Sequence, residues 1–450
     1  MTEEGRYIRE PERRVPVFGE YEVIVLGGGP AGIAAAAAAA GHGRKTLLVE
    51  RYGFLGGMGT AAGVTGFCGL HANVHGEHRQ VVHGIADQLL ARIDRVGGLN
   101  TPHLVFGKIM AQAYDTAAYK CAADDLLLAN GVQLLFHALA ADVRLASADT
   151  IDALLVETKS GRRAVLGKIF IDCSGDGDLA AWAGAPFELG DGAGNMLYPT
   201  MMFRVNGVDP HAAGEAWTAI PRLMDEAERR GERFSRKGVI VRPQRNPIEW
   251  RVNATQLKSA NGRPLDGTDA EDLSAGEIEG RRQVLAFFDF LRRDVPGFGE
   301  TYIVDTPPQL GIRETRRLNG EYQLTGADVL TCSDFPDAIG VNGWPIEAHV
   351  AGNVEWRWPE PGSRGFNQLP YRMLLPRKLR NLLVAGRCAS MTHEGQSAAR
   401  VSGSCFVMGE AAGTAAHLAL AQRRDPADIP VADLQRVLES DGAYLGQDRA

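Results

Sequence analysis

The sequence has few cysteines, and none of its six lies in a CxxC pair. Iron–sulfur clusters and structural zinc sites usually need that spacing, so we predict no metal site. No run of 18 apolar residues is present, and no membrane-spanning helix is predicted. The charged N-terminus, MTEEGRYIREPERR, has no apolar core of a signal peptide. Cysteines scattered through a long chain are typical of a reducing cytoplasm, the location that we expect.

The chain also lacks an excess of basic residues, since 48 lysines and arginines stand against 55 aspartates and glutamates. A surface that binds nucleic acid would be basic, so a nucleic-acid partner is not expected. Glycine, by contrast, is abundant, with 54 of 450 residues. Glycine is favoured where the backbone bends sharply or where another group approaches it closely. A chain of this length predicts two domains and is compatible with a homo-oligomer.

The first informative segment is VIVLGGGPAGIAAAAAAA, residues 23–40. Its β-branched start predicts a buried strand, and its seven alanines predict a helix. Between them lies a G-x-G-x-x-G fingerprint, in which the first glycine permits the turn, the second admits a pyrophosphate and the third lets helix and strand touch. The helix N-terminus would face the phosphates. The residues predicted to hold them are Gly27, Gly29, Pro30, Ala31 and Gly32.

A second predicted strand, residues 45–49, ends in Glu50. A carboxylate at this distance from the fingerprint is placed to bind ribose hydroxyls, and it suits NAD or FAD better than NADP. The following loop, RYGFLGGMG, suits a flavin that extends past this point and lies close to the backbone, although its glycines could also simply turn the chain. The loop residues predicted to contact the cofactor are Arg51, Gly56, Gly57 and Met58.

Two later segments are predicted to converge on the same cofactor. The first, FIDCSGDGDLAAWAG, predicts a strand, a sharp turn and a small-residue helix, with an ordinary turn capped by Asp176 or Asp178 as the alternative. The second predicts a strand over 382–385 and a helix from Ser402, whose N-terminus would face the flavin pyrimidine ring or merely pack on the sheet. The predicted contacts are Gly175, Asp176, Gly386, Arg387, Ser402 and Gly403.

These motifs, in this order, resemble the FAD-dependent oxidoreductases related to the flavoprotein subunits of fumarate reductase and succinate dehydrogenase. The resemblance extends from VIVLGGGPAGIAAA through LGIRETRRLNGEYQLTGADV to RVSGSCFVMGEAAGTAA. It implies an α/β fold in which an inserted α+β substrate domain, or cap, splits a Rossmann-like FAD-binding domain. The implied boundaries are an N-terminal tail over 1–19, FAD-binding parts over 20–195 and 371–450, and the insert over 196–370.

The chain departs from the respiratory enzymes at the position of their covalent flavin histidine. That residue should fall in GGMGTAAG, where this chain has Met58 and Thr60, and the nearest histidine is His71. We therefore expect non-covalent FAD, with Cys68 as the alternative site of a thioether link. The resemblance leaves open whether His71 or Cys68 is linked to flavin and which substrate is used.

The middle of the chain loses the alternation of strands and helices. GVIVRPQ and EWRVNAT predict antiparallel strands. Ser274 and Glu277 form a capping box that predicts a helix after them, with Ile278, Leu285, Phe288 and Leu291 as its apolar positions.

Arginines and histidines are the candidates for catalysis. If their segment is helical, Arg313, Arg316 and Arg317 share a face, which is either solvated and paired with Glu314 or directed at a substrate carboxylate or the developing flavin anion. Histidines at 71, 349 and 393 could each accept a proton. The residues predicted to be catalytic are His393, His71, Arg313 and Arg317.

The resulting prediction is an FAD-dependent dehydrogenase or oxidase. Hydride would pass from a small organic substrate, anionic if the arginines bind it, to flavin N5 while a base takes the proton. A redox-neutral lyase or isomerase with structural FAD, and a flavin monooxygenase, are the alternatives.

Overall fold

The computed structural model describes residues 10–447. Part of the predicted tail, residues 1–9, therefore lies outside the described residues. The strands are β1 (Val17–Leu26), β2 (Thr46–Val49), β3 (Gly66–Cys68), β4 (His71–Val74), β5 (Glu77–Gln80), β6 (His103–Val105), β7 (Ile109–Ala113), β8 (Gln133–Leu135), β9 (Ala138–Ser147), β10 (Thr150–Thr158), β11 (Gly161–Asp172), β12 (Phe187–Glu188), β13 (Phe203–Asn206), β14 (Ile240–Pro243), β15 (Trp250–Asn253), β16 (Tyr302–Asp305), β17 (Arg317–Leu318), β18 (Ala338–Asn342), β19 (Ile346–Val350), β20 (Asn353–Arg357), β21 (Asn367–Pro370) and β22 (Leu382–Val384).

The α-helices are α1 (Pro30–Gly41), α2 (Met58–Ala61), α3 (Ile85–Arg95), α4 (Thr116–Ala129), α5 (Asp178–Trp182), α6 (Pro210–Ala213), α7 (Ala216–Arg229), α8 (Ala270–Asp294), α9 (Gly326–Leu330), α10 (His393–Ala399), α11 (Ser402–Gln422) and α12 (Val431–Ser440). Short 3₁₀ helices span Tyr371–Leu374 and Pro426–Asp428. Within residues 10–447, no helix combines the length and the apolar character that crossing a membrane requires.

A seven-stranded sheet forms the centre of the protein, in the order β8-β2-β1-β11-β10-β9, with β22 also paired to β11. Strands β8, β2, β1, β11 and β22 are parallel, and β9 and β10 form an antiparallel extension. Val23 to Leu26 are all buried, as expected for a parallel strand covered on both faces. The predicted α/β fold with a Rossmann-like sheet is confirmed.

Helices α1 and α11 pack against each other at short range because both are rich in alanine and glycine. A Cβ added at Gly409 would lie 2.0 Å from the carbonyl oxygen of Ala31, and one at Gly413 would lie 2.2 Å from that of Ala35. The two backbones therefore approach so closely that no side chain fits between them. This contact fixes the N-terminal ends of both helices relative to the strand ends.

A second core lies between residues 201 and 312. Its antiparallel sheet, in the order β14-β15-β13-β16, includes the predicted pair β14 and β15, and α7 and α8 pack against it. Beyond this region, Leu324, Ile339 and Phe366 belong to the core of the central sheet. The boundaries predicted from the sequence stay a prediction.

Two local predictions in this region were wrong. Helix α8 begins at Ala270, because the Asp269 side chain accepts a hydrogen bond from the backbone N–H of Asp272. Ser274 therefore lies inside the helix rather than at its start. Ile278 and Leu285 are exposed, while Val284, Phe287, Phe290 and Leu291 of the same helix are buried. The segment that carries Arg313 and Arg316 is not helical, so its arginines do not share a helical face.

Candidate functional site

A cavity of about 430 Å³ lies at the carboxyl ends of the parallel strands and reaches the second sheet. Leu26, Val49 and Cys173, at the ends of β1, β2 and β11, form one part of its wall, and Arg251 and Asn253 on β15 form another. Crevices at this edge of open α/β sheets are where ligands bind. The cavity therefore extends from the strand ends, where a dinucleotide would bind, to a region bounded by the second sheet.

The three glycines of the fingerprint have different surroundings. A Cβ at Gly27 would lie 2.4 Å from the carbonyl oxygen of Cys173, and one at Gly32 would lie 1.8 Å from that of Gly27. Those two glycines are required by close backbone contacts, of Gly27 with the segment after β11 and of Gly32 with the residue directly after β1. A Cβ at Gly29 would meet only the Cα of Gly57, at 3.7 Å, and Gly29 lines the cavity. The protein thus leaves open the space against Gly29 where a pyrophosphate would lie. We call this open space against Gly29 the cradle.

Glu50 also lines the cavity, and the residue is 7% exposed. Its carboxylate accepts hydrogen bonds from the backbone N–H groups of Gly28, at 2.7 Å, and Tyr52, at 3.0 Å. These bonds hold the side chain in place. A carboxylate offers about four acceptor positions, so Glu50 retains capacity for ribose hydroxyls.

The predicted second contact is built around an ion pair. Arg387 lines the cavity, and its Nη2 donates to Asp176 Oδ1 at 2.8 Å. The hydroxyl of Thr315 donates to the same oxygen at 2.9 Å. Asp176 does not line the cavity, whereas Gly175 does. Asp176 therefore orients Arg387, and the backbone of the turn faces the cavity.

The N-terminus of α11 faces the cavity through Ser402. The Ser402 hydroxyl donates to the carbonyl oxygen of Cys68, at 3.1 Å, and accepts from the Cys68 N–H, at 3.0 Å. A Cβ at Gly403 would lie 2.2 Å from the carbonyl oxygen of Gly69, so this glycine serves packing. Burial raises the pKa of the Cys68 thiol to about 12, which keeps it protonated at neutral pH.

Of the sixteen residues predicted to contact the cofactor, twelve line the cavity, and the other four are Gly32, Gly56, Asp176 and Gly403. Gly32, Asp176 and Gly403 support the site in the ways described above. Gly56 turns the loop before α2, with a φ of 111°. The individual cofactor contacts stay a prediction.

Three arginines with little exposure surround the part of the cavity beyond the fingerprint. Each donates to a carbonyl oxygen: Arg313 to Tyr198 at 2.6 Å, Arg251 to Val64 at 2.9 Å, and Arg400 to Glu347 at 3.3 Å. Among residues 10–447, none of the three forms an ion pair with a carboxylate. The Nε atoms of Arg251 and Arg400 are buried without a hydrogen-bond partner. Burial lowers the pKa of all three guanidinium groups.

A hydrogen-bonded chain of Arg236, His349 and Glu347 lies against these arginines. Arg236 Nη1 is 3.1 Å from His349 Nδ1, and His349 Nε2 is 3.0 Å from Glu347 Oε1. Because arginine only donates, His349 accepts at Nδ1 and carries its proton on Nε2. Burial would raise the pKa of Glu347, but the His349 bond and the neighbouring charges hold it at about 2. Both nitrogens of His349 are therefore occupied.

A second histidine of the cavity wall has no such partner. His103 on β6 pairs with Ala111 on β7, which pairs with Cys68 on β3, so the three side chains lie on one face of this small sheet. All three line the cavity. Burial and the charges of Arg251 and Arg242 lower the pKa of His103 to about 4, so its imidazole is neutral at neutral pH.

The residues predicted to be catalytic are not brought together. Arg313 lines the cavity, whereas His393, His71 and Arg317 do not. His393 Nδ1 lies 2.9 Å from a carboxylate oxygen of Glu314, which also pairs with Arg317. His71, in β4, is buried with its Nδ1 unpartnered. Catalytic roles for these three residues stay a prediction.

Sequence reasoning overlooked His103, Glu347 and Arg251. For Glu347 a signal was present, because IEAHV places Glu347 and His349 two residues apart, on one face of an otherwise apolar strand. For His103 and Arg251 the sequence offers no comparable signal, since their approach depends on the packing of two sheets.

Comparison with known proteins agrees with this site. The family model described as FAD dependent oxidoreductase matches residues 22–438. A dihydrolipoyl dehydrogenase of Trypanosoma brucei brucei is 53% identical over 45 residues, which are 10% of this chain and 9% of that protein. The latter match is too short to bear on the activity of the whole chain.

Two solved structures are similar over most of their length. A geranylgeranyl bacteriochlorophyll reductase-like protein from Thermoplasma acidophilum has a TM-score of 0.49 at 13% identity, covering 94% of this chain and 91% of that one. The p-nitrophenol 4-monooxygenase PnpA from Pseudomonas putida DLL-E4 has a TM-score of 0.43 at 11% identity, covering 94% and 81%. At these TM-scores, neither likeness bears on the reaction of this chain.

The residues at the strand ends fit FAD on their own geometry, through the open space at Gly29, the held carboxylate of Glu50 and the N-terminus of α11. The family model covers nearly the whole chain. The chain therefore belongs to the FAD dependent oxidoreductase family, and FAD is its cofactor.

Proposed function

We propose that this protein oxidises a small anionic organic substrate and holds FAD non-covalently. The observation that carries the proposal is the group of three arginines, Arg251, Arg313 and Arg400, around the cavity without a carboxylate partner. The cavity is continuous with the cradle at Gly29. A substrate bound against these arginines would therefore lie in the same cavity as the part of the cofactor that extends beyond the fingerprint.

The charge balance of this region favours an anion. The low pKa of Glu347 keeps it ionised, and its charge interacts favourably with Arg313 and Arg400, while Arg236 adds a further positive charge behind His349. A buried charge without a partner costs several kcal/mol. A substrate carboxylate would remove that cost and would match the planar guanidinium fork bidentately. Arg251 and Arg400 both line the cavity, so a carboxylate bound there would lie beside their guanidinium groups.

The chain's own contribution to the chemistry is orientation, charge and a proton acceptor. Bound FAD supplies the hydride acceptor. The arginines fix the anionic end of the substrate, and the sheet face that carries Cys68, Ala111 and His103 forms the wall beside it. We assign the proton acceptor to His103, because it lines the cavity and its nitrogens have no hydrogen-bond partner among the described residues. The negative charge of a substrate bound beside Arg251 would raise the low pKa of His103 and make it a better base. His349 could accept a proton only by losing its bond with Arg236.

The experiment is anaerobic mixing of the yellow holoenzyme with a panel of hydroxy, amino and saturated carboxylates, each beside its neutral amide. An oxidoreductase of this kind loses the yellow band with one of the acids and not with its amide, without added NAD(P)H. Turnover with an unchanged band would indicate the redox-neutral alternative. A requirement for NAD(P)H and oxygen would indicate a monooxygenase.

The arginine assignment has its own test in Arg313→Lys. Lysine keeps the charge but lacks the bidentate fork, so we expect the apparent dissociation constant of the acid that reduces the flavin to rise about tenfold, with FAD content unchanged. Arg316→Lys is the matched control, because Arg316 pairs with Asp178 and does not line the cavity. Equal affinities in both variants would contradict the role of Arg313.

A further inference from the structure

The outer end of the cavity is walled by aromatic side chains from three separate elements. Phe106 lies in the turn between β6 and β7, Trp356 lies on β20, and Trp217 lies on α7, and all three line the cavity. We call these three residues the aromatic mouth. Phe106 is 57% exposed, whereas the two tryptophans are partly buried.

Phe106 adopts a backbone conformation that its residue type disfavours. Its φ is 52°, that of Gly107 is 67°, and the Lys108 N–H donates to the Val105 carbonyl at 3.1 Å. Two consecutive positive φ angles are typical of a type I′ turn, which strongly prefers Asn-Gly, and the pairing of Val105 with Ile109 leaves three residues in this loop. A bulky side chain at positive φ is an outlier, and such strain is concentrated at functional sites. The strain places an exposed aromatic ring at the edge of the cavity.

The rings of the mouth are already held in aromatic contacts. Phe106 meets Trp356 edge to face, with centroids 5.4 Å apart and planes at 70°. Trp344, which also lines the cavity, lies 6.0 Å from Trp356. The Arg242 guanidinium lies 4.3 Å from the ring centroid of Trp217. These contacts hold each ring in place, which lowers the entropy lost when a flat ligand binds against them.

We propose that the aromatic mouth binds a planar ring of the substrate, so that the substrate is an aromatic carboxylate. Its anionic end would lie against Arg251, Arg313 and Arg400, and its ring would lie between Phe106 and Trp217. The negative charge of the substrate in this assignment rests on the proposed function, and its aromatic ring rests on the residues of the aromatic mouth. The ring-to-ring contacts would be offset or edge-to-face, as aromatic pairs prefer.

The test is calorimetric titration of the holoenzyme with four probes: acetate, phenylacetate, cyclohexylacetate and phenylacetamide. Phenylacetate should bind at least about tenfold more tightly than acetate because it buries a ring. It should also bind about threefold more tightly than cyclohexylacetate, because only the aromatic ring stacks. Equal binding of phenylacetate and cyclohexylacetate, or no binding of either, would overturn the aromatic site.

The decisive variant is Phe106→Asn, which gives the turn its preferred Asn-Gly sequence and removes the ring. We expect an unchanged or higher melting temperature, a phenylacetate affinity lower by about fivefold, and an unchanged acetate affinity. Tyr302→Ala is the control, since Tyr302 is an exposed aromatic residue on β16 outside the cavity wall. Parent-like phenylacetate binding by Phe106→Asn would remove Phe106 from substrate recognition and overturn the proposal.

The neutral amide separates this proposal from the one on which it rests. If phenylacetamide binds as tightly as phenylacetate, the arginines do not select an anion, and the proposed function and the carboxylate part of this inference both fail. The comparison of Phe106→Asn with the parent still decides the aromatic part. If flavin is instead reduced by a small aliphatic acid while phenylacetate does not bind, the aromatic site fails and the proposed function stands.

Discussion

Gly29→Ala should separate cofactor binding from folding more cleanly than any other change in the fingerprint. Gly29 has a φ of −75°, which alanine adopts without strain, and its added Cβ would meet the protein only at 3.7 Å. Because Gly29 is the N-cap of α1, alanine costs the apoprotein at most about 1 kcal/mol. The methyl group, however, would occupy space that the pyrophosphate needs. We therefore expect loss of FAD with a folded apoprotein.

Gly32→Ala is the matched control on the same helix. Its added Cβ would lie 1.8 Å from the carbonyl oxygen of Gly27, which is backbone and cannot move aside alone. Helix α1 would have to shift away from β1, at a cost at or above the upper end of the ~1–3 kcal/mol typical of overpacking. This variant should lose stability in the apoprotein as well as FAD.

The assay measures FAD per chain after gel filtration, and urea unfolding of each apoprotein with and without added FAD. For the parent, FAD at one hundred times its dissociation constant should raise the free energy of unfolding by about 2.7 kcal/mol. Gly29→Ala should show the apoprotein stability of the parent within about 1 kcal/mol and little of this increase. Stoichiometric FAD in Gly29→Ala would refute the placement of the pyrophosphate, and a stable Gly32→Ala apoprotein would refute the packing argument.

Two further predictions concern protonation. His103→Ala should keep FAD but slow anaerobic flavin reduction by roughly 10²–10⁴-fold, which is the contribution of a general base, whereas the flavin of His393→Ala should be reduced at the parent rate. Both rates are measured by stopped flow, and the opposite result would return the role of proton acceptor to His393. Burial and the charges of Asp441 and Asp87 raise the pKa of Glu410 to about 8 from 4.5, so the folded chain keeps a proton that the unfolded chain loses. The free energy of unfolding should therefore fall between pH 4.5 and 8 by up to about 1.4 kcal/mol per pH unit, and urea titrations of Glu410→Gln should lack this slope.

The central sheet could be predicted from the sequence because its signals are local. The apolar run over 23–26, the fingerprint and the alanine helix occur in one stretch, and each agrees with the others. The start of α8 could not be fixed in this way, because Asp269 and Ser274 are both good N-caps and both precede a helical pattern. Asp269 caps the helix because its carboxylate accepts a hydrogen bond from the backbone N–H of Asp272, with a donor–acceptor distance of 2.8 Å.

The part of the cavity beyond the fingerprint was far less predictable, because long-range contacts form it. His103, Arg251, Glu347 and Arg400 are separated by many residues and meet only when the small sheet of β3, β7 and β6 packs beside β15 and β19. No local pattern reports such a meeting. The strain at Phe106 is likewise invisible in a sequence that could form several kinds of turn.

The arginines of residues 313–317 illustrate how the structure divides residues that look equivalent in sequence. Arg316 pairs with Asp178 at 2.8 Å, and Arg317 pairs with Glu314 inside the core, so both charges are compensated within the protein. Arg313 lines the cavity, and its guanidinium donates a hydrogen bond to the carbonyl oxygen of Tyr198. Since a buried guanidinium without an anion is costly, the chain retains at Arg313 a charge that folding alone does not require. We therefore base the proposed negative charge of the substrate on Arg313 and not on its two neighbours.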